Sequence, residues 1–385
     1  MRILHICVAG PYTEGMGYQE NFLPKFHKQL GHDVYLLASC YQWDKGVIVH
    51  TPEEQRRMRD GVFLYRREFR KFCCEPLAKK IRLVKGMREV MEDVKPDFIM
   101  AHGISTFSLY DVRNYVRGNQ KTRLIVDSHA DYVNSATNWL SKNLLHRRIW
   151  RHVAQMIEPY TEVFYGVLPA RVDFIKEMYH LPPEKCRLLC MGADDGFVKG
   201  SVGVEKTAAI RKKYQIGEED FLIVTGGKID SVKTQVLLLM RAVHKIADRN
   251  VRLVIFGTVE EHLKKAFEKM VDGSRVQYIG WLQPIETYEV VAAADLAVYP
   301  GGHSTLWEQT AGQGIPMAVK YWPGTDHVNV NGNAVFLRND SADEMKKLLS
   351  DLVLDKMRYQ KMKTAAVEAM SEFSYQNIAE RCLGA

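Results

Sequence analysis

Apolar runs of strand length, bounded by glycine or proline, alternate along this chain with stretches whose apolar residues recur at helical spacing. Arg2 to Ala9 predicts a first strand. A glycine-bearing turn at Gly10, Gly15 and Gly17 follows. Phe22, Leu23, Phe26 and Leu30 then predict a helix from about Tyr18 to Leu30, stopped by Gly31, and Asp33 to Ser39 predicts a second strand. The punctuation continues with a strand Gly61 to Arg66, a helix around Ile81 to Val94, a strand Asp97 to Ala101 ending in His102, and a strand Arg123 to Asp127. Between Ser141 and Met156, Leu144, Leu145, Ile149, Trp150 and Val153 recur among basic residues, the pattern of a helix with its apolar face on a core or on a membrane surface.

From Thr161 to Phe197 the pattern changes, and residues 199–214 predict a connecting helix. A second set then begins. Phe221 to Thr225 predicts a buried strand and Gly226-Gly227 a turn. Val236, Leu239, Met240, Val243, Ile246 and Ala247 share one helical face, and Val251 to Gly257 and Val276 to Gly280 supply two more strands. The stretch Asp295 to Val319 reads as strand, glycine turn, short helix and strand. Leu296 to Tyr299 is apolar; Pro300, Gly301 and Gly302 break the chain; Ser304 or Thr305 can cap a helix carrying Glu308 in its first turn. Such a stretch presents amides, a positive helix end and one carboxylate at the carboxyl edge of a parallel sheet. Open α/β folds bind nucleotides there.

At 385 residues the chain exceeds what one core usually covers, so two domains are expected. The boundaries expected are 1–165 and 201–365, with 166–200 as crossover and 366–385 as a closing helix. No apolar run approaches the roughly 18 residues needed to span a bilayer, and MRILHICVAG lacks the layout of a cleavable signal. The seven cysteines, at 7, 40, 73, 74, 186, 190 and 382, include no CxxC pair, so reduced thiols of a cytoplasmic protein are expected rather than disulfides or metal ligands.

Charge adds one further feature. Residues 1–165 hold 25 Lys and Arg against 18 Asp and Glu, while residues 166–385 hold 28 of each, so the first part carries the whole excess of +7. Within it residues 56–88 hold 12 basic and 3 acidic side chains. Either a solvated face or an anionic partner accounts for this, the latter a membrane surface or a phosphate-bearing acceptor. Nothing points to nucleic acid. The turn GMGYQE has Glu20 where a dinucleotide fingerprint needs its third glycine, which argues against NAD.

The candidate chemistry lies at strand ends. His102 and His129, the latter in Ser128-His129-Ala130-Asp131, sit just past two strands that should be neighbours. Lys228 and Lys233 flank the start of a helix, and two fixed cations with free amides can hold a diphosphate without a metal.

These motifs together resemble a glycosyltransferase of the two-Rossmann GT-B architecture, most closely the retaining family 4, also called glycosyl transferases group 1. The segment GMGYQENFLPKFHKQLGHDVYLLAS is similar to that family's opening turn, helix and strand, and CMGADDGFV to its segment after the crossover. GGKIDSVKTQ is similar to its G-R-x-x-x-x-K-G pattern, with Lys228 at the arginine position and Lys233 at the lysine position. VQYIGWLQPIETYEVVAAADLAVYP is similar to the run that flanks the nucleotide base, and FSYQNIAER to the closing helix that crosses back onto the first domain.

The resemblance implies an α/β fold of two Rossmann-like domains facing each other across a cleft. It implies transfer of a sugar from a nucleotide sugar, UDP-linked, to a saccharide or lipid-linked acceptor in surface polysaccharide or glycoconjugate synthesis, with no cofactor and no metal. An epimerase of the same fold and a non-catalytic partner subunit are the alternatives. By the same resemblance His129, Lys228, Lys233 and Glu308 are catalytic. Gly17, Gly227, Ile279, Gly301, Gly302, His303, Ser304 and Thr305 join Lys228, Lys233 and Glu308 at the donor, and Gly15, Tyr18, His102 and Asp131 lie on the acceptor side. The chain departs from the family at one place: the first of two glutamates eight positions apart is replaced by Pro300.

Overall fold

A computed structural model of the chain describes every residue except Lys45, Phe72, Cys73 and Ala385; Cys73, one of the seven expected thiols, thus lies outside the described residues. The chain divides into two units, Met1–Cys190 with Ile378–Ala385, and Met191–Asn377.

The first unit contains β1 (Arg2–Cys7), β2 (Asp33–Ser39), β3 (Tyr41–Asp44), β4 (Val47–His50), β5 (Glu54–Arg57), β6 (Phe63–Arg67), β7 (Phe98–His102), β8 (Arg123–Ser128), β9 (Val163–Gly166) and β10 (Cys186–Leu188). Its main sheet runs β10-β9-β8-β7-β1-β2-β6-β5, parallel except for β5, while β3 and β4 pair separately. The central strands bury both faces and so read as continuous apolar runs. Leu4, Ile6, Ile99, Val126 and Phe164 pack with Met87, Val90, Leu109, Val112, Val153 and Ile175 from the helices. The helix Tyr375–Leu383 enters this unit at Ile378: the Ala379 carbonyl accepts from His27, the Leu383 carbonyl from Arg123, and Cys382 is buried near Met100.

Three local features differ from the sequence reading. The helix expected around Ile81 to Val94 is two helices, Glu75–Ile81 and Met87–Val94, parted at Arg82, whose φ of 55° is left-handed. Its carbonyl accepts from Thr106 and Ser108, and its guanidinium donates to the carbonyls of Ala9 and Ser105, so tertiary bonds replace the helical ones. The amphipathic stretch from Ser141 begins with wide π-type turns (Ser141–Trp150), which leave Leu144 exposed and bury His146 and Trp150 on the core. Third, the basic segment is partly consumed by structure. Arg66 is 2% exposed and donates to Glu54 and to the Ser39 and Tyr12 carbonyls; Arg56 pairs with Glu14 and Glu54.

The second unit has β11 (Phe221–Ile229), β12 (Val251–Val259), β13 (Val276–Tyr278), β14 (Leu296–Tyr299), β15 (Met317–Lys320) and β16 (Ala334–Leu337), all parallel in the order β13-β12-β11-β14-β15-β16. Gly226-Gly227 is not a turn. Both residues continue β11 in register with Phe256 and Gly257 of β12. The helix Gln235–Lys245 lays Val236, Leu239, Met240 and Val243 on this sheet, as the spacing predicts.

In both sheets the strand order reverses direction from a single strand, β1 beside β7 and β11 beside β14. Ligands of open α/β sheets bind outside the carboxyl ends at such a point. Among the described residues no helix is long and apolar enough to cross a membrane. Burial pushes the Cys7 and Cys382 thiols up, Cys40 to about 12 and Cys186 to about 11, so these are protonated, unreactive side chains.

Candidate functional site

At the reversal point of the second unit, Lys233 lies in the turn between β11 and its helix, its amide donating to the Asp230 carbonyl. The chain after β14 comes against it: a Cβ on Gly301 would sit 3.0 Å from Lys233 Cγ and 3.1 Å from its Cα, so only glycine fits there without displacing the lysine. A Cβ on Gly227 would lie 3.9 Å from Lys233 Nζ. The backbone and stem of Lys233 thus pack on the loop after β14 while its ammonium lies by Gly227 of β11, and burial lowers its pKa. Lys228 differs. Its side chain is 62% exposed, and its charge is met by Glu260 at 3.0 Å and Asp230 at 3.6 Å.

Gly302 continues the loop into the helix Leu306–Gly312. Thr305 stands at the N-cap but makes no side-chain cap bond, and Ser304 serves through its carbonyl, which accepts from the Trp307 amide. Glu308, on the inner side of this helix, is fully buried. His303 Nε2 lies 2.7 Å and His327 Nε2 2.9 Å from the same carboxylate oxygen, Oε1, whereas Oε2 is buried with no partner among the described residues. Burial alone would raise the carboxyl pKa; the charge and hydrogen bond of His303 and the hydrogen bond of His327 reverse that and hold it well below the ordinary range. His327 was not picked out from the sequence, because it lies nineteen positions from Glu308 in a short 3₁₀ turn, Asp326–Val328. Ile279 follows β13, its amide bonded to the Ile255 carbonyl, on the other side of β12 from this group.

At the reversal point of the first unit a cavity of about 590 Å³ opens over the ends of β1, β7 and β8, lined among others by Tyr18, Glu20, Arg82, His102, Ser105 and His129. The chain leaves β7 through Gly103, whose φ is +99° and whose Cβ would meet that of Ala9 at 2.6 Å. His102 Nδ1 is 2.7 Å from Asp127 Oδ2, and His129 Nε2 is 3.7 Å from the same oxygen. Burial would push Asp127 up; His102 and His129 outweigh it and keep this carboxyl ionised. Burial likewise disfavours charge on His129, but Asp127 raises its pKa above the ordinary histidine value. Behind His102 the line of rings continues inward: His102 Nε2 to His5 Nδ1 at 3.0 Å, His5 Nε2 to His27 Nδ1 at 3.0 Å, and His27 Nε2 to the Ala379 carbonyl at 3.1 Å. His5 and His27 were hidden in an apolar strand and an amphipathic helix.

Three of the residues expected near ligands are not among those lining this cavity. Gly15 and Gly17 are exposed in the loop before the helix Gln19–Gln29 and do not line the cavity. Asp131 is a turn former: Oδ1 accepts from the amides of Val133 and Asn134, and Oδ2 pairs with Arg171 at 3.1 Å. Among the described residues two groups bring ligand atoms within 4.8 Å of one another in a way that could hold a cation: His303, Glu308 and His327, and Cys40, His50 and Glu68.

Two Rossmann-like units and a closing helix define the GT-B glycosyltransferase fold. Residues 206–369, most of the second unit, match the family of glycosyl transferases group 1. No curated protein matches the sequence. Among solved structures the chain is similar to Anabaena HepE in complex with UDP and glucose, with 13% identity over 100% of this chain and 98% of that one and a TM-score of 0.64. It is similar to sucrose-phosphate synthase from Thermosynechococcus elongatus, with 14% identity over 99% and 97% and a TM-score of 0.69. It is also similar to UDP-GlcNAc 2-epimerase from Neisseria meningitidis bound to UDP-GlcNAc, with 11% identity over 100% and 99% and a TM-score of 0.65.

Proposed function

We propose that the protein is a glycosyltransferase that moves a sugar from a UDP-sugar to a saccharide or lipid-linked acceptor, with retention, in the synthesis of a surface polysaccharide or glycoconjugate. The observation that carries this reading is Lys233, its stem packed on Gly301 and its ammonium by Gly227, at the reversal point of the unit that matches the group 1 family. Departure of a nucleoside diphosphate builds negative charge on phosphate oxygens, and a fixed cation with backbone amides stabilises it without a metal or cofactor. In this reading Lys233 takes the diphosphate with help from Lys228, the loop 301–305 receives the nucleotide closely, and Glu308 accepts from the ribose hydroxyls. His129 serves the transferred sugar, and Tyr18 and His102 border the acceptor.

The protein acts on the cytoplasmic side, at an anionic membrane surface. Exposed Arg57, Arg59, Lys71, Lys80 and Lys85 in segment 56–88 support that position. Vesicle co-sedimentation at low and high salt checks it, and equal recovery on neutral and anionic vesicles refutes it.

Incubation with a panel of nucleotide sugars, with and without saccharide acceptors, tests the transferase reading. Acceptor-dependent release of UDP is expected. Interconversion of the sugar nucleotide without acceptor would instead assign the activity of the similar epimerase, and inertness towards every donor would make the chain a non-catalytic subunit.

A further inference from the structure

We infer that the buried rings of His27 and His5 form a one-way chain that fixes His102 as a doubly protonated imidazolium against Asp127, making His5 and His27 positioning residues for the cavity histidine His129. The Ala379 carbonyl can only accept, so His27 carries its proton on Nε2. A neutral His27 then has a bare Nδ1, which must accept from His5 Nε2–H. His5 in turn has a bare Nδ1, which must accept from His102 Nε2–H. His102 therefore faces Asp127 Oδ2 through Nδ1 at 2.7 Å, and two bare acceptors would repel at that distance. One proton must lie between them. Every other tautomer sets donor against donor or acceptor against acceptor among buried groups.

The location of the charge follows. Burial lowers the pKa of His5 far below its ordinary value and that of His27 to about 4, so both rings are neutral at pH 7, and Asp127 is held ionised. The positive charge resides on His102. The chain ends on a carbonyl, which cannot hand a proton onward, so it is a lock rather than a relay. Its consequence is felt in the cavity. With His102 charged, the His102–Asp127 pair is neutral as a whole, and His129 meets a compensated carboxylate whose second oxygen, Oδ1, is buried without a partner among the described residues. The other groups acting on His129 are Glu20, which favours its charge, and Arg171, which opposes it; Cys7 and Cys382, acting on Asp127, are held neutral by burial.

Replacing His5 by phenylalanine removes the acceptor for His102 Nε2–H. His102 can then shed that proton, keep Nδ1–H on Asp127 and become neutral, and the pair changes from neutral to negative. His129 should then titrate about one pH unit higher. His5→Gln offers an amide oxygen to His102 and an N–H to His27, and should preserve the lock.

The test is nitrogen-15 NMR of histidine-labelled protein between pH 6 and 9. In the wild type, His102 should show both ring nitrogens protonated throughout, with His5 and His27 neutral and protonated on Nε2. His5→Phe should move His102 to the neutral Nδ1–H form and raise the His129 titration, and His5→Gln should do neither. A neutral His102 in the wild type overturns the inference, as does a folded His5→Phe protein with His102 unchanged. Should His5→Phe not fold, the wild-type and His5→Gln spectra decide alone. A second arm rests on the proposed transfer reaction: the alkaline limb of the kcat profile should rise with His129 in His5→Phe. If the spectra show the lock and that limb stays fixed, the lock stands and the part assigned to His129 in transfer falls.

Discussion

His327 Nε2 lies 2.9 Å from Glu308 Oε1, the oxygen that also accepts from His303, so one buried carboxylate oxygen carries two imidazole donors. The folded pKa of Glu308 is depressed. Such a group contributes stability above its unfolded pKa of about 4.3, and that contribution is lost as pH falls towards the folded value. Glu308→Gln turns charge-assisted bonds into neutral ones and should cost about 1 to 3 kcal/mol at pH 7. The melting temperature of the wild type should then fall more steeply than that of the variant between about pH 5 and pH 3. Parallel curves in thermal melts would mean that the carboxylate gains nothing from its two histidines.

Lys233 and Lys228 are expected to separate in nucleotide binding, although the sequence offers them as a pair. Lys233 packs against Gly301 and is half-buried, whereas Lys228 is exposed and already paired with Glu260 and Asp230. A charge-assisted bond to phosphate is worth roughly 1.5 to 3 kcal/mol, so Lys233→Ala should weaken UDP about 10- to 100-fold in calorimetric titration. Lys228→Ala should weaken it less than about threefold, because surface ion pairs are worth little. The reverse order would put the diphosphate at the outer end of β11.

The contrast shows where sequence reading stops. Leu296–Tyr299 and Asp33–Ser39 are legible because a strand buried on both faces has no alternative to a continuous apolar run. Gly226-Gly227 misleads because glycine ordinarily marks a turn, and pairing with Phe256 and Gly257 keeps both residues in β11, Gly227 with a φ of +103°. The edge strand Glu54–Arg57, EQRR, has no apolar residue and exists through its pairing with β6, which the Arg66–Glu54 bond reinforces. Glu308 stands out as a lone carboxylate after a glycine pair, but its partner His327 does not. The His27–His5–His102–Asp127 line comes from one helix and three strands, and only the order β1, β7, β8 makes it a line.

Divalent metal should not be needed for turnover. The sequence provides two lysines for the diphosphate, and each histidine near Glu308 already has the carboxylate as its partner. Activity after exhaustive chelation should equal that of untreated protein. Loss of turnover restored by Mg²⁺ or Mn²⁺ would refute metal independence. Restoration by Zn²⁺ alone would assign an ion to His303, Glu308 and His327, whose donor set suits it.

His129 should matter for turnover more than for nucleotide affinity, since it belongs to the first unit and the nucleotide is proposed on the second. His129→Ala should bind UDP as the wild type does and turn over at least about tenfold more slowly, a barrier change of about 1.4 kcal/mol. The pH profile gives the sign of its role. Its pKa is raised by Asp127, so the imidazolium persists above the ordinary value of about 6.5 and is lost as pH rises through the folded pKa. If the charged ring assists by donating to the transferred sugar, kcat falls on the alkaline side and that limb vanishes in His129→Ala. If the neutral ring acts as a base, kcat rises there instead. A variant with wild-type turnover at every pH would leave His129 only the task of keeping Asp127 ionised, and circular dichroism melts in acid would then show a loss of stability with no change in rate.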